Sequence, residues 1–381
     1  MHFAFTEEQE ELRATARAFL AEANAPERVR AAMESPLGFD PELWKRIAEL
    51  GWPAVAIAED CGGLGLGPVE LTALMEVMGE ALLCAPFFSS VCLAAPALAA
   101  VGDEASRRAW LPGIAEGRTL AALALAEGAA APGPGDVAAT WRADAEGFRL
   151  DGRKRFVVDG AAAELLLVAA RREGSRGAEG VGLFAVPAST PGVARRALPT
   201  MDRTRRLADV ELRDVYVGRG AAVGDPEGAW PGLARALDLA AVALAAEQVG
   251  GAQRCLDLAV AHAKDRVQFG RPIGSFQAIK HRCAQMMVEV ESARSAAYHA
   301  ACVAAEGGDA LPLAASLAKA TASEAFFHAA AECLQIHGGI GFTWEVDVHL
   351  YLKRARAGEG LLGDPAFHRE RVAAHLLGEA E

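Results

Sequence analysis

The chain has 381 residues, 52% of them hydrophobic and 23% charged, and a formal net charge of −12. That balance describes a globular protein of two or three domains, and the surplus of negative charge excludes a nucleic-acid partner held through its phosphates. The seven cysteines stand singly, with no Cys-x-x-Cys pair; they read as buried thiols of a reducing, cytoplasmic compartment, and no metal site is expected.

The N-terminus opens on a polar amphipathic segment rather than on the pattern of a secretory signal. Thr6 before Glu7 and Glu8 marks a helix start, and Leu12, Ala16, Phe19 and Leu20 recur at helical spacing. A second helix is expected from Pro41 to Leu50, stopped by Gly51. The glycine-rich run 59–67 lacks the G-x-G-x-x-G spacing of a nucleotide loop and reads as a loop before a helix from Val69 to Leu82. Residues 81–102 carry no charge and would reach across a bilayer, which takes about 20 residues. Pro86 and Pro96 break such a helix, so buried helices of a water-soluble domain are expected, with no membrane span.

Near Thr119 the pattern changes to short apolar or alternating runs, at 121–126, 147–150, 155–158, 165–169, 181–186 and 210–217. Gly, Pro and Asp punctuate them, which predicts an antiparallel β barrel or sandwich. Residues 130–136 and 173–180 read as loops. From Ala229 long helical segments return, at 229–267, 276–306 and 311–336, with a final pair beyond Val346. Their short connections suit a four-helix bundle. The expected fold is therefore α+β and multidomain: an N-terminal helical domain over 1–118, a middle β domain over 119–228 and a C-terminal helical bundle over 229–381.

Two runs carry candidate chemistry. The first is Asp265-Arg266-Val267-Gln268-Phe269-Gly270-Arg271-Pro272-Ile273, followed by Phe276-Gln277. A guanidinium late in a long helix can grip a diphosphate through a fork of donors, or it can simply serve the helix dipole. The second is Gln335-Ile336-His337-Gly338-Gly339-Ile340-Gly341-Phe342-Thr343. Glycines here let a diphosphate or ribose approach backbone amides, or they cap an alanine-rich helix. His337 reads as structural.

Together, in this order, the two runs resemble the acyl-CoA dehydrogenase family. Leu50-Gly51-Trp52 and the 59–65 run are similar to that family's first domain, so the resemblance covers nearly the whole chain. It implies an FAD cofactor contacted by Arg266, Gln268, Phe269, Gln277, Gln335, Gly338 and Gly339, with Arg266 and Phe269 reaching FAD bound mainly by another subunit. It implies a homo-oligomer (dimer or tetramer) or a hetero-oligomer with a related subunit. In the middle domain the family sets an aromatic residue against the flavin and a hydroxyl two residues on. Here these positions are Phe156, which can still cover the ring, and Val158, which has no hydroxyl and is left to serve the flavin through its backbone amide. The family's Thr-Glu-Pro-Gly-x-Gly-Ser segment corresponds to Ala126-Glu127-Gly128 followed by a Pro-Gly loop.

The implied activity is α,β-desaturation of an acyl-CoA thioester, with electrons passed to an electron-transferring flavoprotein. A carboxylate must take the α-proton. Most members place a glutamate where this chain has Leu362; others place it on the first long bundle helix, where this chain has Ala240. Both positions are empty. Asp364 lies two residues past the first, beyond Gly363, and reads as either the base or the N-cap of the helix from Pro365. Glu247 lies seven residues after Ala240, about 10 Å along the same helix face, and is the next candidate. Glu359 is the weakest. The double vacancy also motivates a non-catalytic or FAD-sharing subunit of a hetero-oligomeric dehydrogenase. A third reading is another flavin oxidation on the same fold, of a nitro compound or a hydroxylation.

Overall fold

The computed structural model describes residues 5–128 and 133–378. The expected loop at 130–136 lies partly outside the described residues; its described end, Pro134–Asp136, is one short helical turn. Helix α1 (Glu7–Ala23) begins in a capping box, in which Thr6 and Gln9 each bind the other's amide through a side chain. Helix α2 (Pro26–Glu34) is not announced by the sequence pattern. Helix α3 (Pro41–Glu49) is capped by Asp40 and ends before Gly51, whose φ of +75° needs a glycine. Helix α4 (Pro68–Glu80) follows. The uncharged stretch folds as a buried π-helical segment (Phe88–Ala94) running into α5 (Ala95–Val101). No helix among the described residues is long and apolar enough to cross a membrane. Helix α6 (Glu104–Ala115) leads to the sheet.

The middle region is one seven-stranded sheet: β1 (Ala121–Ala124), β2 (Thr140–Asp144), β3 (Gly147–Val158), β4 (Leu165–Arg172), β5 (Val181–Pro187), β6 (Val193–Ala197) and β7 (Leu207–Gly218). The order is β1-β4-β2-β3-β7-β6, with β5 on β4. Pairing is antiparallel except for β1 with β4 and β2 with β4. The runs at 147–150 and 155–158 are one strand, broken in register by irregularities at Leu150/Gly152 and Lys154/Val157. Strand β6 escaped the sequence reading because it is an exposed edge, Val-Ala-Arg-Arg-Ala, with charges where an alternating pattern would show apolar residues. Trp141, Leu150, Phe184 and Val210 sit in the core of the sheet.

The rest is α7 (Trp230–Asp265), a hairpin of β8 (Val267–Gln268) and β9 (Arg271–Pro272), α8 (Gln277–Glu306), α9 (Leu311–His337), α10 (Val348–Gly360) and α11 (Pro365–Leu377). Among the described residues these are the three long helices and the final pair that the sequence pattern predicts; α9 packs against α8, α10 and α11. By contacts the chain forms two compact units. One holds residues up to Ala31, Pro68–Leu83 and Ala241 onward; the other holds Ala32–Gly67 and Cys84–Ala240. Within the first unit α4 crosses α7 at backbone distance. A Cβ on Gly79 would lie 1.9 Å from the carbonyl oxygen of Glu247, and one on Gly250 1.8 Å from that of Glu76. Glu76, buried on α4, accepts from Arg13 of α1 at 2.8 Å and from Arg294 of α8 at 3.1 Å.

Candidate functional site

The two C-terminal motifs lie side by side. The rings of His262, near the end of α7, and His337, at the end of α9, stack with centroids 4.2 Å apart. The β8–β9 hairpin follows the first ring and Gly338 follows the second. His337 Nδ1 meets the carbonyl of Cys333 at 2.8 Å, one turn back on its own helix, which suits the structural part read for it.

Gln268 pairs with Arg271 across the hairpin. The turn residues Phe269 and Gly270 have φ of +53° and +78°, the signs of the tight turn that joins two antiparallel strands. A phenylalanine in that region is strained, and Phe269 is 91% exposed. Strain and an apolar ring in solvent are both unfavourable. Arg266, Gln268, Gln277 and Gln335 are exposed, and no carboxylate pairs with Arg266 among the described residues. A Cβ added to Gly338 or Gly339 would meet nothing within 4 Å. Unspent cationic and amide donors beside an open glycine backbone fit a diphosphate-bearing cofactor such as FAD.

In the sheet, Phe156 stands in the irregular stretch of β3 with φ of +55° and is 39% exposed, so its ring has a free face. The Arg155 guanidinium lies 4.8 Å from the ring centroid. Val158 pairs with Leu207 in the ladder and its side chain is buried. Just before Phe156, Lys154 is fully buried and ion-paired with Glu127. Burial pulls its pKa down to about 8, against the opposing pull of Glu127. Glu127 also accepts the amides of Ala138 and Ala139 at 3.0 and 2.9 Å. This carboxylate is therefore committed to contacts within the sheet region.

The base positions are apolar or engaged. Ala240 is buried on α7. Leu362 has φ of +63° and Gly363 +105° in the turn between α10 and α11. Asp364 is the N-cap of α11: its Oδ1 accepts the amide of Phe367 at 2.8 Å, and the residue is exposed. Glu247 is buried, with Oε1 2.9 Å from Arg354 Nη1 and side chains 8% and 5% exposed. Glu359 pairs with Arg356 one turn back. No cluster of metal-ligating side chains occurs among the described residues.

Three residues that matter to this region were passed over in the sequence: Arg354, Lys319 and His368. Lys319 carries a visible signal, a lone charge inside the apolar run Leu-Ala-Ala-Ser-Leu-Ala-Lys-Ala of α9. Burial brings its pKa to about 7.

Three family models match the chain almost end to end: "Acyl-CoA dehydrogenase, N-terminal domain" over 6–118, "middle domain" over 122–215 and "C-terminal domain" over 230–377. The "Acyl-CoA dehydrogenase IpdE2" of Mycolicibacterium smegmatis is 38% identical, over 98% of this chain and 100% of that protein. Two solved structures are also similar. A chain of the ChsE4-ChsE5 complex from Mycobacterium tuberculosis has TM-score 0.89 and 29% identity, covering 100% of both chains. Butyryl-CoA dehydrogenase from Megasphaera elsdenii has TM-score 0.91 and 27% identity, covering 99% of this chain and 100% of that one.

Proposed function

The chain belongs to the acyl-CoA dehydrogenase family of oxidoreductases, and on that footing we propose that it is an FAD-binding subunit of an enzyme that desaturates an acyl-CoA thioester between its α and β carbons. A related subunit of a hetero-oligomer supplies the proton-abstracting carboxylate, and electrons leave to an electron-transferring flavoprotein. The observation that carries this reading is the state of the carboxylates. Positions 240 and 362 are apolar, and Glu247 is locked to Arg354 inside the helical unit. A carboxylate whose oxygen is already bonded to a buried guanidinium is engaged in the interior and is not free to reach a substrate proton. The similar Mycobacterium tuberculosis structure is a complex of two differently named chains, which supports a paired assembly.

When bound, FAD supplies the acceptor for the β-hydride. This chain's part is to bind and orient. Arg266 and the amides of Gln268, Gln277 and Gln335 serve phosphate and sugar oxygens, Phe269 and Phe156 offer apolar faces to rings, and Gly338 and Gly339 give backbone access. Replacing Arg266 with Ala should weaken FAD retention roughly tenfold or more, the loss of one charge-assisted hydrogen bond. The ratio of flavin to protein absorbance after gel filtration reads this. Unchanged retention would place the diphosphate elsewhere.

The test of the whole reading is anaerobic mixing of the FAD-loaded protein with a panel of acyl-CoAs, alone and assembled with a related chain that carries the glutamate. Flavin absorbance should bleach only in the assembly. Rapid bleaching by this chain alone would overturn the proposal in favour of a second reading, a self-sufficient homo-oligomeric dehydrogenase with Asp364 as base. Its exposed carboxylate, with only Oδ1 spent on the cap, favours that reading. Asp364→Asn keeps the cap and should then slow reduction by about 10²- to 10⁴-fold; under our reading it changes nothing.

A further inference from the structure

The turn from Glu359 to Asp364 is held from beneath by two buried side chains. Lys319 of α9 reaches three acceptors with its three N–H groups: Ser323 Oγ at 2.8 Å and the carbonyls of Glu359 and Gly363, each at 3.2 Å. Ser323 Oγ in turn donates to Gln248 Oε1 at 3.1 Å on α7. His368 of α11, 1% exposed, meets the carbonyl of Leu362 with Nε2 at 3.1 Å. Burial, and next the charge of Lys319, hold this imidazole neutral, with its pKa down to about 3. A neutral ring facing a carbonyl donates from Nε2. The Phe367 ring closes the other side: a Cβ on Gly363 would lie 2.4 Å from it. Three carbonyls of one short turn are thus gripped from two helices, around a leucine kept in strained left-handed backbone. Such strain persists only where the surroundings over-determine it.

We infer that Lys319 and His368 are positioning residues that preserve the shape of a base-bearing turn whose base is gone. The inference rests on the reading that position 362 is the vacated base, and its test separates the two claims. Hydrogen exchange is measured on the FAD-loaded full-length protein without acyl-CoA, at the amides of Leu361, Phe367 and His368, which have acceptors within the turn or cap. Lys319→Met and His368→Leu should speed exchange there roughly tenfold, as expected for the loss of one buried hydrogen bond. Core amides of α8 and α9 should stay protected. His368→Gln carries an amide donor to about the place of Nε2 and should behave like the parent. If Lys319→Met does not fold, the His368 pair of variants decides. Unchanged exchange in both loosening variants overturns the inference. So does equal acceleration through α8 and α9, because the residues would then only stabilise the fold. If exchange behaves as expected while a glutamate restored at 362 stays inert, the clamp stands and the vacated-base reading falls.

Discussion

Leu362→Glu should raise the rate at which acyl-CoA reduces flavin bound with this chain by roughly 10²- to 10⁴-fold over the parent, the usual contribution of a positioned general base. Three features of the turn support so large a gain from one substitution. The backbone at 362 is already left-handed, and glutamate meets no more strain there than leucine does. The turn is fixed by its carbonyls and not by the Leu362 side chain. The position is also half-buried, so partial desolvation would raise the new carboxyl's pKa toward the range a base needs. Lys319 beneath the turn works the other way, because its charge favours the ionised carboxylate. Stopped-flow bleaching of the flavin measures the rate. A Leu362→Glu protein that keeps FAD and is no faster than the parent would show that position 362 does not face the α-carbon.

Much of this could be read from residue patterns. Long amphipathic runs gave the helices to within a few residues, because a buried stripe at helical spacing persists over many turns. The order of helices, sheet and helices, together with the 265–277 and 335–343 runs, carried the family. Short elements failed for physical reasons. Strand β6 is a charged edge with no apolar alternation, and α2 is a nine-residue helix rich in charge. The bent β3 appeared as two strands because Gly152 and the left-handed Phe156 interrupt its period.

The site was legible where a residue acts through its own chemistry, and hidden where it acts through a partner far along the chain. Asp364 was visible as a candidate cap from the proline that follows it. Glu247 could be placed on α7 by counting, but its state depends on Arg354, 107 residues away. Nothing local marks that arginine as its partner. The grip of Lys319 on carbonyls 40 and 44 residues downstream is hidden in the same way, because a backbone acceptor has no sequence signature.

Arg354→Met should destabilise the protein by about 3–5 kcal/mol, the cost of leaving one partner of a buried ion pair uncompensated. Methionine keeps most of the volume, so the loss is electrostatic and not a cavity. Arg354 Nη2 also reaches the carbonyl of Leu83 at 3.3 Å, and losing that bond adds to the deficit. Urea unfolding at pH 7 and at pH 5 measures it. In the variant Glu247 remains buried without its cation, so burial lifts its carboxyl pKa above the unfolded value. A group raised in the folded state contributes stability at low pH and loses it as pH rises through the folded pKa. The deficit should therefore be smaller at pH 5 than at pH 7. Glu247→Leu combined with Arg354→Met removes both charges and should cost much less than the single change, because the two residues are in contact and their effects do not add. The same variant weighs the two functional readings. Freed from Arg354 and with a raised pKa, Glu247 would have the character of a base if it faced the substrate. Faster flavin reduction by Arg354→Met alone would return Glu247 to that role and remove the need for a partner's carboxylate.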